Sequence, residues 1–152
     1  MHPLAHMLTG AVIGEVAPSP TTAFFGGLLS HFVLDAIPHA EGETFKEQPS
    51  SGFGAEFIEA GLEFFAGVLI VGWVASTCHA VKPLSVGLGT LAALLPDFID
   101  LPLKMFFGIT ILHARGLHWT VKRRNAIWGI LTQVAVAGGA AAYLWRASGC
   151  GL

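Results

Sequence analysis

The sequence predicts an all-α fold, a polytopic membrane bundle of four to five transmembrane helices that forms one domain over residues 1–152. Composition is the first observation, because 53% of the residues are hydrophobic and only 12% are charged, whereas charged residues make up about a quarter of a soluble domain. The mean hydropathy of +0.65 agrees with that composition. Apolar residues also run in continuous stretches without the alternation of a β-strand, which favours helices.

Five apolar segments can be drawn, and they cover residues 4–16, 21–37, 55–77, 85–112 and 125–145. The first is short, and the last is near the ~20 residues that a bilayer-spanning helix needs. The second is predicted to start at a threonine N-cap and to stop before Pro38. Pro96 predicts a kink or break in the fourth segment. Residues 40–54 are polar and rich in Gly, Ser and Pro, which predicts a loop.

Basic residues predict the orientation of the chain, which we expect in the cytoplasmic (inner) membrane of a bacterium or archaeon. Four of them crowd the connection between the fourth and fifth segments: Arg115, Lys122, Arg123 and Arg124. Cytoplasmic loops carry such an excess, so this connection should face the cytoplasm. Cys78 and Cys150 then face outward, where a disulfide between them and two unpaired thiols are both open alternatives. The net charge of −2 argues against a nucleic-acid partner.

Ionisable side chains interrupt the apolar sequence, most clearly at the end of the second segment. His31 and Asp35 are four residues apart, so a helix places them on one face, and His39 follows about one turn later. A charged group in hydrocarbon costs roughly 2.5–3.5 kcal/mol on insertion scales, and a metal ion is one partner that offsets this cost. A single histidine in an apolar run is more often a hydrogen-bonded core residue, but that explanation must then cover every such residue in the chain.

A second set of candidates lies in and after the fourth segment. Asp97 and Asp100 share a helix face, where two carboxylates repel each other unless a cation lies between them. The alternative is that both are acids in the first turn of a helix that begins after Pro96, which explains Asp97 better than Asp100. His113 and His118 follow on the basic connection, and the alternative for either is a histidine beside lipid head groups.

The predicted topology places all of these candidates toward the cytoplasmic side. The group also includes His6 in the first segment and Glu63 in the third, the latter as a ligand or general base. Independent core histidines would scatter along the bundle, so a common depth favours one shared site. Mixed histidine and carboxylate ligands suit a divalent metal, Zn²⁺ first and Mn²⁺ second. The predicted metal ligands are His6, His31, Asp35, His39, Asp97, Asp100, His113 and His118.

These motifs resemble those of the membrane-bound metal-dependent hydrolases, a family distantly similar to zinc-dependent phospholipase C. The resemblance covers most of the chain and rests on Ser30-His31-x-x-x-Asp35-x-x-Pro38-His39, on Leu95-Pro96-Asp97-x-x-Asp100 and on the paired His113 and His118. In this chain the Ser-His-x-x-x-Asp motif comes first, whereas better-known members place it after the other two. The resemblance implies metal ligands at His31, Asp35, Asp97, Asp100, His113 and His118.

The predicted function is hydrolysis by a membrane-embedded, divalent-metal-dependent enzyme. A metal would lower the pKa of a bound water to near neutrality. Glu63 would hold or deprotonate that water, and Arg115 would neutralise an anionic group. The location among membrane lipids favours a phosphoester of a lipid or lipid-linked substrate. Two alternatives are open: a non-enzymatic subunit or assembly factor of a larger complex, and a cation transporter. A membrane-protein partner or a homo-oligomer is compatible with each of them.

Overall fold

Five α-helices make up the fold in the computed structural model, which describes residues 1–40, 53–77, 82–109, 111–112, 120–121 and 125–147. They are α1 (Pro3–Val16), α2 (Pro20–Asp35), α3 (Phe53–Thr77), α4 (Pro83–Phe107) and α5 (Ala126–Ala147). No strand occurs among these residues, and an isolated bridge joins His39 to Thr120. The all-α prediction is confirmed. Most of the predicted 40–54 loop and both cysteines lie outside the described residues.

Three of the five helices are long and apolar enough to cross a membrane: Ile58–Ser76 within α3, Pro83–Asp100 within α4, and Ala126–Ala147, which is α5. That number is smaller than the four to five predicted. The first two helices have 14 and 16 residues, short of the ~20 that a spanning helix needs. Hydropathy alone did not separate them from spans, because burial in protein and burial in lipid select the same apolar side chains.

The short helix α1 occupies the centre of the bundle and packs against all four other helices. Leu8 and Ala11 are almost fully buried there. They form one apolar core with residues from three other helices: Val71, Val74, Val86 and Leu144. By contrast α3 and α5 are mostly exposed along their spans, and their exposed residues are largely apolar. The buried helix α1 is therefore separated from the surroundings by α3 and α5, whose exposed apolar faces are suited to lipid.

Glycines allow three helices to approach closely at one point. A Cβ atom on Gly10 of α1 would lie 2.5 Å from the carbonyl oxygen of Gly89 on α4, and a Cβ atom on Gly27 of α2 would overlap that same oxygen. Small residues permit such backbone contact between membrane helices. Gly10 follows His6 by one helical turn, and Gly27 precedes His31 by one turn. This contact therefore sets how close α1 and α2 lie to α4 near the two histidines.

Local sequence determines where α2 begins and ends. Its N-cap is Ser19 rather than the predicted threonine, and Ser19 forms a capping box with Thr22. The Ser19 hydroxyl accepts from the Thr22 amide at 3.2 Å, and the Thr22 hydroxyl accepts from the Ser19 amide at 3.0 Å. The helix ends before Pro38, as predicted. In α4 the helix continues through Pro96, so this proline does not break it.

Candidate metal centre

Three buried side chains from α1 and α2 form the centre of the candidate site. His6 and His31 are 0% exposed and Asp35 is 2% exposed. The Nε2 atom of His6 lies 3.2 Å from Asp35 Oδ1, and that of His31 lies 3.2 Å from Asp35 Oδ2. The two imidazole rings stack with their centroids 4.3 Å apart. One ligand atom from each side chain therefore lies within 4.8 Å of the other two.

Helix geometry explains why these side chains meet. His31 and Asp35 are one turn apart on α2 and form an i,i+4 pair, while α1 contributes His6 from the opposite side. Asp35 is the last residue of α2, where the helix macrodipole disfavours a carboxylate. Nitrogen atoms offset this cost, because the α-amino group of Met1 also lies 2.5 Å from Asp35 Oδ1.

The hydrogen bond of His31 to α4 determines what its second nitrogen can do. Its Nδ1 donates to the carbonyl oxygen of Ala93 at 2.8 Å, since a carbonyl can only accept. In the neutral ring Nε2 is then an acceptor, and it faces the carboxylate of Asp35. Two acceptors 3.2 Å apart repel unless the ring carries a second proton or a cation lies between them. Histidines that bind metals commonly donate their other ring nitrogen to a backbone carbonyl in this way.

The second imidazole is buried and lacks aligned hydrogen bonds. Among the described residues, neither Nδ1 nor Nε2 of His6 has a hydrogen-bond partner, although Nε2 lies near Asp35. Burial lowers the pKa of His6, and the nearby Asp35 carboxylate only partly opposes that effect. The neutral imidazole is the form that binds metals. Leaving a buried polar group unpaired costs roughly 1–3 kcal/mol, a cost that a bound cation would remove.

Asp97 lies at the open side of this cluster. Its Oδ1 atom is 3.9 Å from His31 Nε2, and its side chain is 39% exposed. Asp97 follows Ala93 by one turn of α4. One stretch of α4 therefore provides both the carbonyl that orients His31 and a carboxylate 3.9 Å from its Nε2 atom.

Two other predicted ligands make different contacts. Asp100 is buried, and its carboxylate accepts from the backbone amides of Ile111 and Leu112 at 2.9–3.1 Å. His39 is fully buried, and its Nδ1 donates to the Ile37 carbonyl at 2.7 Å. The structure does not bring either residue into the cluster of His6, His31 and Asp35. The predicted site residues His113, Arg115 and His118 lie outside the described residues.

Glu63 belongs to a second group of side chains. Its Oε1 atom lies 2.5 Å from His2 Nδ1, and Glu59 Oε1 lies 3.9 Å from the same nitrogen. The hydrogen bond with Glu63 raises the pKa of His2 despite partial burial. The sequence places His2 on the same side as Glu63 but supports it less well than His6, and His2 is not among the predicted ligands. The signal that could have found His2 is its position four residues before His6, just ahead of Pro3, where it is the N-cap of α1.

Comparison with known proteins adds no relative, because no family model, curated protein or solved structure matches this chain. The resemblance to membrane-bound metal-dependent hydrolases therefore stays a prediction.

Proposed function

We propose that this protein is a membrane-embedded hydrolase that requires a divalent metal, Zn²⁺ or Mn²⁺. The ion would be held by His6, His31 and Asp35, and Asp97 would lie beside the position left open for water. One observation carries the proposal: the acceptor nitrogen of His31 faces the Asp35 carboxylate at 3.2 Å, inside a buried cluster where His6 Nε2 lies 3.2 Å from the other oxygen of the same carboxylate. A divalent cation at this position would bind all three groups at once.

The donor set fits such an ion. Two imidazole nitrogens and one carboxylate are ligands of catalytic zinc sites, which keep a fourth position open. A bound Zn²⁺ supplies a Lewis acid and lowers the pKa of water to about 7. Within the protein, the Ala93 carbonyl holds the His31 ring in place. The partly exposed Asp97 connects the buried cluster to the outside.

The surroundings of Asp97 support an amphiphilic substrate. Its neighbours Phe98 and Ile99 are 51% and 38% exposed, and Phe98 packs edge-on against Phe64 of α3 with ring centroids 5.7 Å apart. A substrate that reaches the open side of the cluster therefore meets apolar side chains first. This arrangement favours a phosphoester of a lipid or lipid-linked molecule, and Arg115 remains the predicted partner of its phosphate.

We further propose that the site faces the cytoplasm in a multi-pass protein of a bacterial or archaeal inner membrane. The beginning of α3, the end of α4 and the beginning of α5 share one side if these three helices cross the membrane. The basic connection between α4 and α5 contains Arg115 and Lys122, and such connections are cytoplasmic. The site therefore faces the cytoplasm whether the chain crosses the membrane three times or five times.

Phosphodiester hydrolysis by the purified protein in mixed phosphatidylglycerol micelles tests this function, with Zn²⁺ or Mn²⁺ added after chelation. We expect metal-dependent turnover that Asp35→Asn lowers by more than the ~10–100-fold that loss of an outer-shell partner costs. The matched control is Glu15→Gln, because Glu15 lies at the other end of α1 and accepts from the Lys82 amide. Bound metal without turnover would favour the subunit alternative, and metal flux into sealed vesicles would favour the transporter. Either result would overturn the hydrolase.

A further inference from the structure

His2, Glu59 and Glu63 form a second group beside the candidate metal centre, and the two groups have no residue in common. One nitrogen of His2 and one oxygen of each glutamate lie within 4.8 Å of one another. The two glutamates are four residues apart on α3 and share a helix face, and His2 is the N-cap of α1. Two different helices therefore supply a nitrogen and two carboxylates to one point.

The two groups are adjacent along α1. His2 precedes His6 by four residues, so their side chains follow each other at about one helical turn. The neighbouring Met1 amine contacts Asp35 in the first group. The chain from Met1 to His6 thus belongs to both groups, although the two share no side chain.

In the second group, one buried carboxylate oxygen lacks a hydrogen-bond partner among the described residues. Glu63 Oε1 is paired with His2, but Glu63 Oε2 is buried and has no hydrogen-bond partner among the described residues. Glu59 and Glu63 also lie at the start of the apolar span Ile58–Ser76, where each carboxylate costs free energy unless it is neutralised. Glu59 is 54% exposed and can be solvated, so the Oε2 atom of Glu63, unpaired within the described part of the chain, is what gives the group capacity for a further positive charge.

We propose that His2, Glu59 and Glu63 form a second divalent-cation site, so that the chain binds two metal ions. This inference rests on the proposed function, whose site holds the first ion. One nitrogen and two carboxylates make the second site harder than the first, which favours Mn²⁺ over Zn²⁺ there. Of the two roles predicted for Glu63, ligand and general base, the second site selects the ligand role.

Binding two ions has a chemical consequence for the substrate class. Paired metal sites recur in enzymes that cleave phosphoesters, where they stabilise the attacking and leaving oxygens. A second cation beside the first would therefore suit the phosphoester substrate proposed above, although paired metal sites also occur in aminopeptidases.

Metal stoichiometry of the full chain in detergent micelles tests the proposal. Mn²⁺ binding is measured by calorimetry and bound metal by mass spectrometry, in wild type, Glu63→Gln, Asp35→Asn and the control Glu15→Gln. We expect two ions per chain in wild type and in the control, and one ion in each of the other variants. If Glu63→Gln does not fold, Glu59→Gln replaces it, because Glu59 is 54% exposed and its substitution should weaken only the second ion.

Four outcomes would overturn the second site. A single ion in wild type that Glu63→Gln retains and Asp35→Asn loses would remove it and leave the proposed function intact. A single ion lost in both variants would make Glu63 a ligand of the first site. Two ions retained in Glu63→Gln with turnover lost would restore the base role of Glu63. No bound ion in wild type would remove the proposed function as well.

Discussion

Replacing Gly10 with alanine should force α1 and α4 apart. The added Cβ atom would lie 2.5 Å from the carbonyl oxygen of Gly89 and 2.8 Å from the Cβ atom of Ala93. An ordinary contact begins at 3.4 Å, so the difference between 3.4 and 2.5 requires a separation of about 0.9 Å. The Gly89 oxygen belongs to the backbone, and no change of rotamer can move it away.

Two effects of opposite sign set the size of the change in stability. Overpacking a tight contact costs roughly 1–3 kcal/mol, whereas alanine improves helix propensity over glycine by at most about 1 kcal/mol. Because the clash is with a backbone atom, the upper part of the overpacking range applies, and the net loss should be about 1–2 kcal/mol. The separation also draws the Ala93 carbonyl away from His31, now 2.8 Å from it, so metal affinity should fall together with stability.

Thermal unfolding in detergent micelles, followed by the fluorescence of the four tryptophans, measures the effect. Gly87→Ala is the matched control, because a Cβ atom there meets no described neighbouring atom within 4 Å and α4 gains only helix propensity. We expect Gly10→Ala to lower Tm by several degrees and Gly87→Ala to leave Tm unchanged or raise it. Equal Tm values for the two variants would refute the packing argument.

Three further predictions concern protonation, a buried carboxylate and sidedness. In metal-free protein the hydrogen bond to Glu63 raises the pKa of His2, so the pair stabilises the fold below the unfolded pKa and this contribution is lost as pH rises through the raised folded pKa. The Tm of His2→Gln should therefore lie below that of wild type at low pH, and the difference between the two Tm values should shrink as pH rises. A difference that does not change with pH would contradict this stabilising role of the pair. Asp100→Asn should cost about 1–3 kcal/mol and speed hydrogen exchange at the two amides it accepts from, and loss of bound metal would instead identify Asp100 as a ligand. In a cysteine-free background, a cysteine at Ser51 should resist an impermeant thiol reagent in intact cells while one at Ser148 reacts, and the reverse pattern would place the site on the outer face.

Much of the fold could be predicted because its determinants are local in the chain. Apolar stretches bounded by Pro18, Pro38 and the polar 40–54 region mark the helices without knowledge of their neighbours. Hydropathy could not separate α1 from a spanning helix, because its central position depends on close contact between Gly10 and Gly89. That contact joins two distant parts of the chain and leaves no trace in local composition.

The candidate site divides in the same way. The pair of His31 and Asp35 could be predicted, since four-residue spacing on one helix brings them together whatever the bundle does. The contact of His2 with Glu63 could not, because it depends on how α1 lies against α3. The contact of the Asp100 carboxylate with the amides of Ile111 and Leu112 could not be predicted either, because spacing within α4 carries no information about the chain that follows it. Asp100 as a metal ligand stays a prediction.

Zinc X-ray absorption on protein loaded with one equivalent of Zn²⁺ tests whether His6, His31 and Asp35 hold a metal ion. We expect a first shell of nitrogen and oxygen atoms at about 2.0–2.2 Å, with scattering from two imidazole rings. We also expect that His31→Gln removes one ring from the spectrum and that Asp35→Asn weakens zinc binding. A sulfur shell near ~2.3 Å, or a spectrum that neither substitution changes, would contradict a metal centre built on His6, His31 and Asp35.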